Sequence, residues 1–100
     1  MAYGLIYKFP SSVGRKEYEA VNAKLEITAD DPSSPWPDGL LTHASGTTKT
    51  GEFWLYETWE SQAKQEAFMN SRLGAALAAV GVPAPEQLIE LDLINQIVPA

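Results

Sequence analysis

The sequence predicts one α+β domain over residues 1–100, built in the order β-α-β-β-α-β. Three observations lead to this prediction. Near both ends of the chain, apolar residues alternate with smaller or polar ones, as in β-strands. Two longer segments have apolar residues at the spacing of amphipathic helices. In the middle, a glycine-flanked polar turn joins two strand-like runs. A chain of 100 residues has room for one hydrophobic core, so a second domain is not expected.

The first strand is predicted over Tyr3–Phe9, where large side chains alternate with smaller or polar ones until Pro10. A helix should follow from Gly14 to about Ile27, because apolar residues recur there at helical spacing. The serine pair at 11–12 precedes this helix and can cap it. The apolar faces of the two elements hold Tyr3, Leu5, Tyr7 and Phe9 in the strand, and Tyr18, Val21 and Leu25 in the helix.

The middle of the chain predicts a loop followed by a hairpin. Residues 28–39 contain three prolines, which forbid a regular helix or a central strand, and this loop also carries Trp36. The runs Leu40–Ser45 and Phe53–Trp59 are strand-like. Because the short segment 46–51 between them is polar and flanked by glycines, the two runs should pair as a hairpin.

The second helix is predicted over Ser61–Val80 and should end at Gly81. Gly74 is a weak point within it, since a glycine inside a helix costs about 1 kcal/mol relative to alanine and permits a kink. A last strand is expected within Gln87–Val98, where carboxylates alternate with apolar residues. We expect these carboxylates to be solvated at the edge of the sheet. This order favours the ferredoxin-like arrangement, a four-stranded antiparallel sheet with two helices on one face.

Both faces of the third strand carry large side chains. Phe53, Leu55 and Trp59 alternate to one side, and Trp54 and Tyr56 alternate to the other. An exposed face with a tryptophan and a tyrosine would be an apolar patch large enough to require a partner. We therefore expect a homodimer formed through the sheet face, and the sequence leaves open which face meets the helices.

Composition narrows the possible partners. A formal charge of −6 argues against nucleic acid and anionic lipid, and a neutral or cationic small molecule fits better. No apolar run is long enough for a membrane span. The absence of cysteine and the single histidine predict neither a disulfide framework nor a metal site. The first residues lack a basic leader, so we expect no signal peptide and a cytoplasmic location.

Three segments carry a resemblance to a known group. Gly39–Gly46 and Phe53–Ser61, followed by the alanine-rich helix with Arg72-Leu73-Gly74, resemble the dimeric α+β barrel proteins, particularly uncharacterised bacterial members near the antibiotic-biosynthesis-monooxygenase-like group. The resemblance covers nearly the whole chain and implies a dimeric α+β barrel with a small-molecule pocket. Known activities in the group include cofactor-free oxygenation of aromatic polyketide-like substrates, haem degradation, and decomposition or isomerisation of small organic acids. The haem-ligand context is not matched here, so we expect no cofactor.

His43 is the only histidine, and its side chain can act as a general acid or base near neutral pH. A hairpin turn of two or four residues would set His43 opposite Trp54 and Leu41 opposite Tyr56. His43, Trp54 and Tyr56 would then form an aromatic cluster suited to a flat substrate. A turn of three or five residues would break this alignment. The alternative role for His43 is structural, with its ring hydrogen-bonded within the strand.

Four other residues are candidates for the site. Glu57 should lie on the face opposite Trp54, where it could serve as a base or form a structural ion pair with Arg72. Trp36 could close over a pocket, contact the other subunit or simply hold its loop by packing. Tyr7 is predicted as a core or interface residue, like Tyr18, and its hydroxyl could line a cavity.

The leading hypothesis is a small-molecule enzyme resembling cofactor-free monooxygenases or isomerases, acting on an aromatic or enolisable substrate. His43 and Glu57 would be its catalytic residues. The alternative is a non-catalytic dimeric binding or stress-response protein for a hydrophobic small molecule, and a third possibility is that the aromatic residues only build the dimer core. No sequence motif of hydrolases, nucleotide-binding proteins or metalloenzymes is present. The predicted substrate contacts are Trp54, Tyr56, Trp36, Arg72 and Tyr7.

Overall fold

The computed structural model describes residues 2–100 and has the predicted element order. Its four antiparallel strands form one sheet in the order β2-β3-β1-β4, which confirms the ferredoxin-like arrangement. The strands are β1 (Tyr3–Lys8), β2 (Leu40–Thr47), β3 (Phe53–Trp59) and β4 (Gln87–Asp92). The helices are α1 (Arg15–Leu25), α2 (Gln62–Phe68) and α3 (Gly74–Val80), with a π-helical segment at Met69–Leu73 between the last two.

The structure decides which face of the sheet is covered. Register pairs Tyr3 with Trp59, Leu5 with Glu57 and Tyr7 with Leu55 across the two central strands. These residues are buried in the core together with apolar residues from the helices. We call the face that carries them the inner face, and the opposite face, with Trp54 and Tyr56, the outer face. Trp54 is half-buried and Tyr56 is exposed.

The start of α1 differs from the prediction. The residue that caps the helix is Gly14, whose N–H donates to the Glu17 carboxylate at 2.8 Å. The serines at 11–12 lie in a turn that is closed by a hydrogen bond from the Val13 N–H to the Pro10 carbonyl. Because this turn holds the serines outside the first helical turn, capping by serine was the wrong prediction.

The hairpin is confirmed, but its predicted register is wrong. Five residues, 48–52, separate the paired ends Thr47 and Phe53, so His43 lies opposite Glu57 and not opposite Trp54. A shift by an odd number of residues reverses the faces of a strand, and His43 therefore belongs to the inner face. Gly51 supports this loop at a φ of +88°, which favours glycine.

A bulge at Leu41 also shapes the inner face. Leu40 pairs with Trp59 and Thr42 pairs with Thr58, so Leu41 is an extra residue on β2. In a regular strand, two residues three positions apart would point to opposite faces. The bulge removes this restriction, and both Leu40 and His43 reach the cavity described below.

The second helical region is interrupted where the sequence indicated weakness. The backbone winds as a π-helix over Met69–Leu73 and returns to α-helix at Gly74. A Cβ atom on Gly74 would lie 2.8 Å from the Met69 carbonyl oxygen, so the absence of a side chain permits this geometry. At its start, Ser61 accepts a hydrogen bond from the Lys64 N–H, and Gly81 ends the region at a φ of +84°.

The last strand, Gln87–Asp92, lies at the start of the predicted range. It ends at Asp92, and Glu90 within it accepts a hydrogen bond of 2.5 Å from the Tyr3 hydroxyl. Beyond it, the N–H of Leu93 still bonds to the Ala2 carbonyl, whereas Ile94 is fully exposed. Among residues 2–100, no helix combines the length and the apolar character needed to cross a membrane.

Candidate functional site

A cavity of about 170 Å³ lies between the inner face of the sheet and the helices. Its walls are mainly apolar because the helical stripes and the alternate residues of the strands converge there. An apolar cavity of about 150 Å³ is large enough to bind benzene, so this one can hold a single aromatic ring. Its apolar lining includes Phe9, Val21, Leu40, Phe53, Leu73 and Leu77.

His43 and Glu57 face this cavity as a hydrogen-bonded pair. Nδ1 of His43 lies 2.9 Å from Oε2 of Glu57, directly across the two neighbouring strands. The other carboxylate oxygen, Oε1, accepts a hydrogen bond from Nε1 of Trp59 at 3.2 Å. Both oxygens of this buried carboxylate therefore have a partner, which is the condition under which a polar group is tolerated in a core.

Two aromatic side chains enclose the His43 ring. The hydroxyl of Tyr18, on α1, lies 2.6 Å from Nε2 of His43, and the two rings are nearly parallel at 12°. Trp36 approaches from the proline-rich loop, with its ring centroid 5.2 Å from that of His43. Its Nε1 donates to the Asp31 carbonyl at 2.9 Å, which holds the indole in this position. The loop thus contributes one wall of the cavity.

Asn22 is the cavity residue that the sequence interpretation missed. It is buried on α1, and within residues 2–100 its Nδ2 has no hydrogen-bond partner. The sequence does contain a signal, because Tyr18, Val21, Asn22 and Leu25 follow the i, i+3, i+4, i+7 pattern of a buried helix face. A polar residue on such a face calls for a partner, and here the cavity lies beside it.

The structure brings together four of the predicted site residues. Tyr7, Trp36, His43 and Glu57 all line the cavity, and Glu57 lies on the predicted face. Burial raises the pKa of the Tyr7 phenol above its usual value, and the negative charge of Glu57 adds to this shift. Tyr7 is therefore a neutral phenol at physiological pH.

The predicted cluster of His43 with Trp54 and Tyr56 does not form. Trp54 pairs with Gly46 and Tyr56 pairs with Ala44, both on the outer face, whereas His43 belongs to the inner face. The five-residue loop is the physical reason, because it changes the register by an odd number of residues. Trp54 and Tyr56 are thus separated by the sheet from the cavity that His43 lines.

Arg72 also takes a different position from the one predicted. Its guanidinium donates to the Leu25 carbonyl at 2.9 Å and to the Pro35 carbonyl at 3.5 Å. It also stacks over the Phe68 ring at 5.8 Å. Arg72 therefore joins the end of α1 to the proline-rich loop. The ion pair with Glu57 is absent, since Glu57 bonds to His43 instead.

The structure describes no group of three or more histidine, aspartate or glutamate side chains, between residues 2 and 100, that could hold a metal ion. The polar side chains at the cavity are instead one imidazole, the two carboxylates of Glu17 and Glu57, two phenols, one indole and one amide. These groups can donate, accept and transfer protons. Proton transfer is therefore the chemistry that this arrangement can perform with its own side chains.

Neither protein-family models nor curated protein sequences give a match to this chain. Solved structures do. A candidate antibiotic biosynthesis monooxygenase from Chloroflexus aurantiacus superimposes with a TM-score of 0.67 at 20% identity, covering 98% of each chain. A variant of SnoaB, a cofactor-independent oxygenase from Streptomyces nogalater, gives 0.62 at 12% identity over 96% of each chain.

A third similar structure is described as a dimeric ferredoxin-like protein of unknown function from Thermobifida fusca. Its TM-score is 0.52 at 18% identity, covering 91% of this chain and 88% of that one. At these identities the similarity shows a shared fold, the one that the sequence resemblance implied. The chain therefore has the fold of antibiotic-biosynthesis-monooxygenase-like proteins, and its activity has to be argued from its own cavity.

Proposed function

We propose that this protein is a small-molecule enzyme of the cofactor-independent monooxygenase or isomerase kind, in which the pair formed by His43 and Glu57 moves a proton. The observation that carries the proposal is this pair on the wall of a mainly apolar cavity. The side chains of His43 and Glu57 are only 14% and 10% exposed. Such shielding strengthens the electrostatic interaction between an imidazolium and a carboxylate.

Glu57 supports the acid–base role of His43 through geometry. A carboxylate bonded to one imidazole nitrogen orients the ring and stabilises the positive charge that forms when the other nitrogen accepts a proton. The bond from Trp59 to the second carboxylate oxygen prevents Glu57 from turning away. The pair is thus arranged before any ligand enters, which is the general requirement for efficient proton transfer.

The cavity also limits the ligand. Its volume of about 170 Å³ suits one aromatic ring, and its walls contain Phe9, Phe53 and Trp36. Nδ2 of Asn22, which has no partner among residues 2–100, could donate to a carbonyl or hydroxyl oxygen on that ring or its substituent. We therefore propose a single-ring aromatic or enolisable substrate that carries an oxygen atom.

The similar structures support the kind of chemistry. SnoaB is a cofactor-independent oxygenase, and the Chloroflexus aurantiacus protein is a candidate monooxygenase. Forming a substrate anion by proton removal fits both an oxygenation and an isomerisation, because each can proceed from an enolate. The residues of this chain supply that step.

The proposal includes a homodimer. The outer face exposes Tyr56 and Leu91 and carries the half-buried Trp54, so a second copy would cover an apolar surface. The Thermobifida fusca protein of the same fold is described as dimeric. A cytoplasmic location and the absence of a nucleic-acid partner remain expectations from the composition.

Solvent deuterium exchange tests the proposal without knowledge of the natural reaction. Phenylacetone, a single-ring ketone with acidic C–H positions, is incubated with the protein in D₂O and followed by proton NMR. We expect the protein to exchange the C–H protons faster than free imidazole at equal concentration. In His43→Ala, the rate of this protein-catalysed exchange should fall by about 10²-fold or more. Equal exchange by wild type and His43→Ala would contradict the proposed role of His43.

The second candidate function is binding without catalysis. It is favoured by the hydrogen bond between Nε2 of His43 and the Tyr18 hydroxyl, because both ring nitrogens of His43 then have partners in the absence of chemistry. This function would be supported over the first by a ring-containing ligand that binds tightly and is recovered unchanged after long incubation. Its deuterium content should then equal that of a control in D₂O buffer without protein.

A further inference from the structure

We infer that Tyr18 is the residue that exchanges a proton with the ligand, and that Glu57 and His43 act behind it as a relay. This inference rests on the proposed function, because it assumes that the cavity performs proton transfer. It changes the identity of the group that meets the substrate, from an imidazole nitrogen to a phenol oxygen. The hydrogen bonds around the single histidine lead to it.

The first step concerns the tautomer of His43. An ionised carboxylate has no proton to donate, so Oε2 of Glu57 can only accept a hydrogen bond from His43. The proton of the neutral imidazole must then lie on Nδ1, which is 2.9 Å from that oxygen. Nε2 consequently carries the lone pair, and it is the basic nitrogen of the ring.

The second step concerns the partner of that lone pair. Oη of Tyr18 lies 2.6 Å from Nε2, and with a lone pair on the nitrogen the phenol must be the donor. The basic nitrogen of His43 is therefore already occupied. Tyr18 also lines the cavity, and its oxygen keeps a lone pair, so we expect a ligand there to meet the phenol rather than the imidazole.

The third step is the proton transfer itself. The C–H bond of an enolisable substrate breaks, its electron pair remains on the substrate as an enolate, and its proton goes to the oxygen of Tyr18. At the same time the phenol proton of Tyr18 passes to Nε2 of His43. The resulting imidazolium remains bonded to Glu57, so the charge is balanced and no oxidant or other reactant is required.

The packing around His43 makes an alternative path unfavourable. Direct contact between Nε2 and a ligand would require the ring to rotate away from Tyr18. Rotation would break the bond to Glu57 as well, and it would change the contacts of the ring with Tyr18 and Trp36. The relay needs no such movement.

Nitrogen NMR tests the tautomer directly, because His43 is the only histidine and gives one pair of ring-nitrogen signals. With ring-¹⁵N histidine, we expect the wild type to show a protonated Nδ1 and an unprotonated, hydrogen-bonded Nε2. In Glu57→Gln the side-chain amide can donate to Nδ1, and the proton should move to Nε2. A wild-type spectrum with the proton on Nε2 would overturn the inference, whatever the activity.

The decisive variant is Tyr18→Phe, measured in the phenylacetone exchange assay. If Tyr18 meets the ligand, this variant loses the enzymatic exchange by about 10²-fold, as His43→Ala does, while its NMR spectrum keeps the proton on Nδ1. Tyr3→Phe is the control, because the hydroxyl of Tyr3 also bonds to a side chain, the Glu90 carboxylate, but Tyr3 lies outside the cavity lining. It should retain the exchange.

The possible outcomes separate the two proposals. Full or faster exchange by Tyr18→Phe, together with loss in His43→Ala, would show that His43 acts directly, so the inference fails while the proposed function stands. Exchange by the wild type no faster than that of free imidazole would remove the proposed function and the relay with it. Loss in both variants, with the control active, is the expected result.

Discussion

Glu57 and Asn22 show two fates of a polar side chain in the core. Both are buried, and both line the cavity. Each oxygen of Glu57 has a ring nitrogen as its partner, from His43 or Trp59, whereas Nδ2 of Asn22 has no partner among residues 2–100. An unpaired buried donor costs about 1–3 kcal/mol. Its presence in an apolar stripe is therefore better explained by a ligand than by stability.

Substitution of Asn22 by leucine should separate stability from binding. Leucine has a similar size and removes the unpaired donor, so the free energy of unfolding should rise by about 1 kcal/mol. The affinity for oxygen-bearing single-ring ligands should fall at the same time. Urea unfolding and ligand titration measure the two effects. A variant that is less stable by more than about 1 kcal/mol would mean that the amide has a structural partner.

Tyr7 makes stability depend on alkaline pH. Burial, and then the charge of Glu57, raise the pKa of this phenol above 10.0, the value of a free tyrosine. A group whose pKa is raised by folding contributes stability that is fully present below the unfolded pKa and is lost as pH rises through the folded pKa. The free energy of unfolding should therefore decrease above about pH 10.

Urea midpoints between about pH 9 and 11 measure this decrease, and Tyr7→Phe should make it shallower because phenylalanine cannot ionise. The comparison of slopes is independent of the absolute stability of the variant. An identical slope in wild type and Tyr7→Phe would assign the alkaline sensitivity to other groups.

At the scale of elements, the π-helical segment Met69–Leu73 is the clearest departure from regular geometry. Met69 and Leu73 from this segment line the cavity. Arg72, in the same segment, donates to the carbonyls of Leu25 and Pro35. The irregular turn therefore links the end of α1, the proline-rich loop and the cavity wall. π-helical turns are rare and occur frequently at functional sites.

Gly74→Ala tests how strongly this geometry depends on glycine. In a regular exposed helix the change should stabilise by about 1 kcal/mol. Here the new Cβ would lie 2.8 Å from the Met69 carbonyl oxygen, so we expect destabilisation of about 1 kcal/mol or more. Thermal or urea unfolding measures it.

Ala75→Gly, at the neighbouring exposed position, is the control and should cost only the intrinsic difference of about 1 kcal/mol. If Gly74→Ala were instead more stable than the wild type, the helix would have an ordinary α-helical course at this position, and the described crowding would be wrong.

At the scale of the whole molecule, the two faces of the sheet differ in their contacts and in their exposure. The inner face meets the helices and builds the cavity. The outer face exposes Tyr56, at 40%, and Leu91, at 36%. Burial of such a surface in a homodimer would follow from the hydrophobic effect, and a net charge of −6 would not prevent it if the patch itself is apolar.

Tyr56→Lys should therefore weaken the proposed dimer, because a lysine at the centre of an apolar interface loses its hydration. Sedimentation velocity should show a shift toward monomer at concentrations where the wild type is dimeric. Ala23→Lys introduces the same charge at an exposed position on α1 and should leave the dimer intact. A Tyr56→Lys protein that sediments like the wild type would place the contact on another surface.

The sequence by itself determined the elements and their order. Alternation along Tyr3–Lys8 and helical spacing along Arg15–Leu25 are local patterns, and each reports the burial of one face. Proline marked the loop around Trp36, and Gly74 marked the interruption of the second helical region, since both residues restrict or relax the backbone at their own positions.

Only the tertiary structure decided the composition of the site. The face on which His43 lies depends on the five-residue loop of the hairpin. A shift of the strand register by an odd number of residues moves a side chain to the other face. The partners Tyr18 and Trp36 reach His43 from elements that are distant in the sequence. Periodicity contains no information on such contacts, because they arise when helix and loop pack on the sheet.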